Sequence, residues 1–318
     1  MKTYKAILST LFNTPHCILP SKLEDIAHFI ESAAAGTLVA MEEPPEQPEG
    51  YCVSLDGEQF ALAEMTASGA GGGFVAVLPL FGTMYQHGGM EMNASGGTST
   101  EQFGRQFAAL NANPAVKSIV IEAHSPGGQV WGTEELSNRI FAARGQTRVV
   151  AAVNSQAASA ALWTTTAADR VYVTPGGEMG SVGVVTMHVD QSQMEEKRGI
   201  KRTLIATPDK KIAGHPWAPL DGETAAQWKA EIQGTLDRFV GSLARNRGVD
   251  ADHVRTKFGG GGMLEAPQAV KAKMADGIAT FDEVLADEIA RLKAAAGRGN
   301  ARANARKLDL AEADQLLY

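Results

Sequence analysis

Asn154-Ser155-Gln156-Ala157-Ala158-Ser159-Ala160-Ala161-Leu162-Trp163 is the stretch on which the fold turns. The apolar run Arg148–Val153 before it reads as a buried strand, and the small residues from Thr164 to Ala168 after it read as helix. A strand therefore passes into a helix at a cluster of Ala and Ser. Small residues let a backbone approach something closely. At a helix N-terminus a serine hydroxyl and unpaired backbone N–H groups face one point. That is the geometry of an acyl-transfer nucleophile, although a serine there also serves simply to let a buried helix pack.

Outward from this stretch, strands and helices alternate. Phe74–Phe81, Val116–Ala123, Val149–Val153, Arg170–Val173, Val182–Val189 and Arg202–Ala206 are expected strands. Thr100–Leu110, Gly132–Ala143 and Gln191–Arg198 are expected helices, with a Gly- and Met-rich loop from Gly82 to about Ser99. Alternation of this kind predicts βαβ units and a mainly parallel sheet, an α/β fold. Glu223–Arg247, Ala251–Phe258, Ala266–Ala275 and Phe281–Ala295 add C-terminal helices. Residues 1–40 read as helical, with Ser21 as N-cap and Glu24 completing a capping box. Met41–Gly50 holds three prolines and four glutamates and reads as an extended linker. The expected organisation is an arm and linker over 1–50, a connector over 51–73 that holds a short strand pair and a glycine hinge, a main domain over 74–295 and a basic, flexible tail over 296–318.

The bulk numbers bound the chemistry. The chain has 318 residues, 44% hydrophobic and 20% charged, enough for a large core. A net charge of −7 argues against a general nucleic-acid binder. Cys17 and Cys52 are the only cysteines and lack metal spacing, so no metal, no cofactor and a reducing compartment are expected. No apolar run reaches the length of about 18 residues that a spanning helix needs, and a cytoplasmic protein without a membrane anchor is the expectation.

Three small-residue motifs stand at strand ends: His124-Ser-Pro-Gly-Gly128, the Ser159 stretch, and Gly180-Ser-Val-Gly183. Adjacent glycines expose backbone N–H groups and can form half of an oxyanion hole, or simply a turn. No G-x-S-x-G elbow surrounds Ser159, no serine has a lysine three residues later, and the seven histidines are scattered. A lysine made neutral by burial is the remaining type of base. The candidate region is Ala206–Trp217, where an apolar and aromatic patch after Lys211 could bury it, although a lysine in a loop is usually solvated.

The order of these motifs resembles the SppA-type serine peptidases, signal peptide peptidase A and the related phage head-maturation proteases, over about Phe74 to Ala295. The resemblance implies a ClpP/crotonase-like fold with repeated ββα/βαβ units and a Ser–Lys dyad. It matches Ser159 to the nucleophile, Lys211 to the general base with Lys210 as the rival register, and Gly128 to the oxyanion glycine, joined by the N–H of Ala160. Ser181 matches the serine that orients the lysine. Ser159-Ala-Ala-Leu-Trp163 departs from the usual Ser-Gly-Gly-Tyr or Ser-Ala-Gly-Tyr, and Gly259–Gly262 departs from the usual Gly-Arg-x-Phe. Pro15-His-Cys-Ile-Leu-Pro20 looks like the phage branch. The implied activity is endopeptidase action on scaffold and capsid proteins by a homo-oligomer inside a capsid precursor in the host cytoplasm. Degradation of signal peptides, a non-proteolytic assembly role on the same fold, and crotonase-type acyl-CoA chemistry are the alternatives. An Ala-lined groove backed by Leu162 and Trp163 is expected to prefer small or aliphatic side chains.

Overall fold

The computed structural model describes residues 15–25, 48–64, 73–88 and 96–315, with side chains described as far as residue 298. Its strands are β1 (His16–Ile18), β2 (Tyr51–Ser54), β3 (Gln59–Ala61), β4 (Phe74–Phe81), β5 (Thr83–Tyr85), β6 (Gly97–Ser99), β7 (Val116–Ser125), β8 (Gly127–Gln129), β9 (Arg148–Ala158), β10 (Arg170–Val173), β11 (Glu178–Gly180), β12 (Met263–Glu265) and β13 (Gly277–Ile278). The α-helices are α1 (Thr100–Ala112), α2 (Thr133–Ala143), α3 (Ala160–Thr165), α4 (Ser192–Lys197), α5 (Gly222–Arg247), α6 (Ala251–Lys257), α7 (Ala266–Lys271) and α8 (Phe281–Gln315).

The main sheet runs β12-β11-β9-β7-β4-β2-β3, with β10 and β13 branching from β9. β4, β7, β9 and β10 are parallel, while β2 and β3 close one edge in antiparallel pairing. Strand side chains alternate between two apolar layers, because successive Cβ atoms point to opposite faces. Ala76, Leu78, Ile119, Ile121, Val149, Ala151 and Val153 join the layer that holds Phe103, Phe107, Leu136, Ile140 and Trp163 of α1, α2 and α3. Val75, Val77, Val120, Val150 and Ala152 face Val284 and Leu292 of α8. Each fully buried Val or Leu contributes about 1.5–3 kcal/mol relative to exposure. This sandwich of sheet between helical layers is therefore the rigid frame of the molecule.

β9 pairs twice. Val150–Val153 lie beside Arg170–Val173 of β10, and Gln156–Ala158 lie beside Glu178–Gly180 of β11. The register on its β7 side jumps from Ala123↔Val153 to Ser125↔Ala157, so residues 154–156 bulge, with Ser155 at φ 83°. The bulge bends the end of β9 away from the frame, as an inserted residue does. A second sheet, β1-β8-β5-β6, sits at that end.

Several expectations are corrected. Val182–Val189 forms no strand beyond a single bridge between His16 and Val185, and Arg202–Ala206 has no regular structure. In the first run Val182 and Val184 pack against the core without a strand partner beyond that bridge, and in the second Ile205 is 94% exposed. His16–Ile18 is a strand rather than helix because β8 pairs with it. The loop before Ser99 contains β5 and β6. The last helix continues past Ala295 to Gln315. Of the helix expected over residues 1–40 only residues 15–25 are described, and most of the Pro/Glu linker and of the expected glycine hinge lies outside the described residues.

Candidate active site

Ser159 stands at the turn from β9 into α3, with φ 53° and ψ −110°. Such a dihedral costs a non-glycine residue on the order of 1–3 kcal/mol and persists only where surrounding structure enforces it. The enforcement is visible. The Ser159 N–H donates to the Gly180 carbonyl at 2.9 Å, and the Trp163 N–H donates back to the Ser159 carbonyl at 2.9 Å. Trp163 is fully buried and stacks on Phe239 of α5 at 4.5 Å. Arg144 donates to the carbonyls of Thr166, Ala167 and Ala168 just beyond α3, and to Asn246 of α5. It thereby satisfies acceptors that a helix end leaves open. Trp163 belongs to the core.

The Ser-Pro-Gly-Gly loop lies against this turn. The Ser125 hydroxyl donates to Gly82 O at 2.6 Å and accepts from the Gly127 N–H at 3.2 Å, which fixes the loop. Gly127 has φ 95°, and a Cβ there would lie 3.1 Å from Ser159 Cβ. A Cβ on Gly128 would strike the Met84 carbonyl of β5. Both glycines are therefore required by close approach. The Ser125 clasp went unread in the sequence. The signal was a hydroxyl directly before Pro-Gly-Gly, a place where side chains often bond local backbone.

Ser181 follows β11 at φ 57° and is buried, and its N–H donates to Gly262 O at 2.8 Å. Gly180 pairs with Ala158, so Ser181 sits directly beside Ser159. Ala160 begins α3, and the N–H of a first helical residue has no acceptor within its helix. Ser159, Ala160, the glycine loop and Ser181 are thus brought together.

Lys211 is not among them. It lies in a 3-10 turn, Asp209–Ile212, and is exposed, as is Lys210. The apolar patch after it does not bury it: Trp217 instead stacks beneath Arg202 at 4.7 Å, and Arg202 is paired with Glu195. The Ser159 hydroxyl, wholly buried, has the Gly183 carbonyl at 3.5 Å and is hydrogen-bonded to the Cys17 thiol. Burial pushes that thiol up to about 12, and the bond from Ser159 offsets only part of this.

Cys17 arrives on β1, which pairs antiparallel with β8 in the register His16↔Gln129, Cys17↔Gly128, Ile18↔Gly127. Leu19 N–H donates to Pro126 O at 3.0 Å, and Val130 N–H donates to Pro15 O at 3.4 Å. Alternation along an antiparallel ladder then makes Cys17 and Gly128 a hydrogen-bonded pair. The backbone N–H of Gly128 thus faces the Cys17 carbonyl. On its other edge β1 exchanges two bonds with Val185, at 2.8 and 2.9 Å.

Among the described residues no group of His, Cys, Asp and Glu is placed to hold a metal ion, and no helix is long and apolar enough to cross a membrane.

Comparison with known proteins follows the same residues. Residues 142–295 match the model of peptidase family S49, a span that holds Ser159, Ser181 and Lys211 but not the glycine loop. The chain is 28% identical over 202 residues to head-tail preconnector protein GP5 of Enterobacteria phage P21, covering 64% of this chain and 40% of that protein. It is 27% identical over 180 residues to capsid assembly protease C of Escherichia phage lambda, covering 57% and 41%. A putative signal peptide peptidase SppA of Enterococcus faecium is 23% identical over 186 residues, covering 58% and 54%. The chain spans about two fifths of the length of the two phage proteins. The resemblance carried by the motif order, to SppA-type peptidases and their phage branch, is borne out.

Proposed function

We propose that this protein is a serine endopeptidase of capsid maturation, acting on scaffold and shell polypeptides, with Ser159 as nucleophile and Lys211 as general base. The observation that carries the reading is the enforced strand-to-helix turn at Ser159, with the glycine loop in contact with it. Ser159 Oγ attacks the scissile carbonyl carbon and gives its proton to neutral Lys211. The N–H groups of Gly128 and Ala160 hold the oxyanion. As the tetrahedral species collapses the C–N bond breaks, and Lys211 returns the proton to the leaving amine. Water then hydrolyses the acyl-enzyme by the same route, and Ser159 recovers its proton. Ser181, beside Ser159, orients the lysine amine.

Lys211 must reach Ser159 for this to work. The segment 182–221 that carries it is irregular over much of its length, with Met194, Ile200 and Ile205 exposed. Such a segment is completed by docking, and a homo-oligomer supplies the surface. The names of the two phage relatives support the capsid role.

The experiment is cleavage of co-expressed scaffold and capsid proteins, read by mass spectrometry. Ser159→Ala and Lys211→Ala should each lower the rate by about a thousandfold or more while melting stays unchanged. Lys210→Ala should retain activity. Ser181→Ala should lower the rate between several-fold and about a hundredfold, the loss of one orienting hydrogen bond. Full activity in Ser159→Ala would end this reading.

A further inference from the structure

We infer that the slot between β8 and residues 183–185 is the peptide-binding track of this protein, and that its own segment Pro15–Leu19 is the resident occupant, seated in substrate register. The inference rests on Ser159 being the nucleophile and adds where, and in what form, a polypeptide meets it.

An extended chain bound by strand addition uses its backbone on both edges and reads alternate side chains through pockets. Pro15–Leu19 does this. Leu19, Cys17 and Pro15 face β8, while His16 exchanges its N–H and C=O with Val185 on the opposite edge. The segment is therefore a middle strand between two edges that would otherwise present open backbone groups. Its register is specific. The Cys17 carbonyl faces Gly128, and a Cβ on Gly127 would touch both that carbonyl and Ser159 Cβ. The Cys17 side chain is fully buried and bonded to the Ser159 hydroxyl. A backbone carbonyl at the oxyanion donor and close to the nucleophile is the arrangement of the residue that precedes a scissile bond.

Two consequences follow. While the segment is seated, the Ser159 hydroxyl is engaged by Cys17 and Gly183, so an outside polypeptide must displace it. The Cys17 site also states its substrate class. It admits a small, uncharged side chain, because a charge there would be desolvated without a partner. A tethered occupant competes at a high effective concentration, so its removal should raise apparent affinity for a free peptide strongly.

The test uses a fluorescent peptide with the sequence of residues 13–22, titrated by anisotropy into the full-length Ser159→Ala chain with and without Cys17→Arg. Binding should be at least tenfold tighter when Cys17→Arg has unseated the segment, and a peptide carrying Arg at the Cys17 position should bind neither. Equal affinity in the two proteins, including no binding to either, overturns the assignment. Should Cys17→Arg fail to fold, alkylation of the unaltered chain decides. At millimolar peptide, iodoacetamide should modify Cys17 at least tenfold faster while buried Cys52 keeps its rate, read by peptide mapping. An unchanged Cys17 rate overturns the assignment. Cleavage of capsid proteins without displacement would remove the track and leave the peptidase reading standing. Displacement without cleavage would do the reverse.

Discussion

The surroundings of Ser159 and those of Lys211 are built in opposite ways. Ser159 is enclosed by β9, β11, the glycine loop and α3, and its neighbours are held by Arg144, Ser125 and the Trp163–Phe239 stack. Lys211 rides on an exposed 3-10 turn in a segment whose apolar residues include Ile205 in open solvent. Under the proposed mechanism, the serine half of the site is complete when the chain folds. Under the same proposal, the lysine half awaits a surface that the described residues of one chain do not supply.

One tryptophan from each region gives the sharpest contrast. Trp163→Ala empties a fully buried stack and should destabilise the fold by about 3–5 kcal/mol, measured by denaturant unfolding. Trp163→Phe keeps the stack and loses an indole N–H that has no partner, so it should cost distinctly less. Trp217→Ala, in the lysine segment, removes a half-buried ring beneath Arg202 and should cost under about 1 kcal/mol. Equal losses at Trp163 and Trp217 would erase the distinction.

Acid should strike the frame behind Ser159. Burial alone would raise the Glu288 carboxyl, but hydrogen bonds from Arg148, Ser118 and Arg291 outweigh it and hold the group below the usual carboxylate range. A folded value depressed below the unfolded one gives stability that is present above the unfolded value, about 4.3. It is lost as pH falls through the folded value. Melting of the wild type between pH 7 and pH 3 should therefore drop more steeply than that of Glu288→Gln, which begins lower and changes less. Parallel curves would remove Glu288 from the acid transition.

The smallest expected effect lies in the lysine segment. Ile205→Asp should move stability by less than about 0.5 kcal/mol, because the side chain touches little of its own chain. Its light-scattering mass and specific activity should nevertheless fall at micromolar concentration, since the substitution puts a charge where an apolar contact is to form. A fully active variant with unchanged mass would mean that the segment finds Lys211 its place without a second copy.

Much of the scaffold was legible because its signals are local. Val149–Val153 and Val116–Ala123 announce strands by apolar runs, and Asp221 and Gly248 mark the ends of α5 by cap chemistry. Ser159, the glycine pair and Ser181 were legible as small residues at strand ends. Val182–Val189 and Arg202–Ala206 misled for the same reason, since an apolar run does not say whether a neighbouring strand will pair with it. Only the tertiary structure decided that Ser125 clasps the glycine loop, that Trp163 belongs to the core, that Cys17 lies against Ser159, and that Lys211 is left in solvent. Each of these depends on which residues far apart in the chain meet, or fail to meet. Propensity and periodicity act over a few residues, whereas strand register and the closure of one element on another are settled by packing the whole molecule.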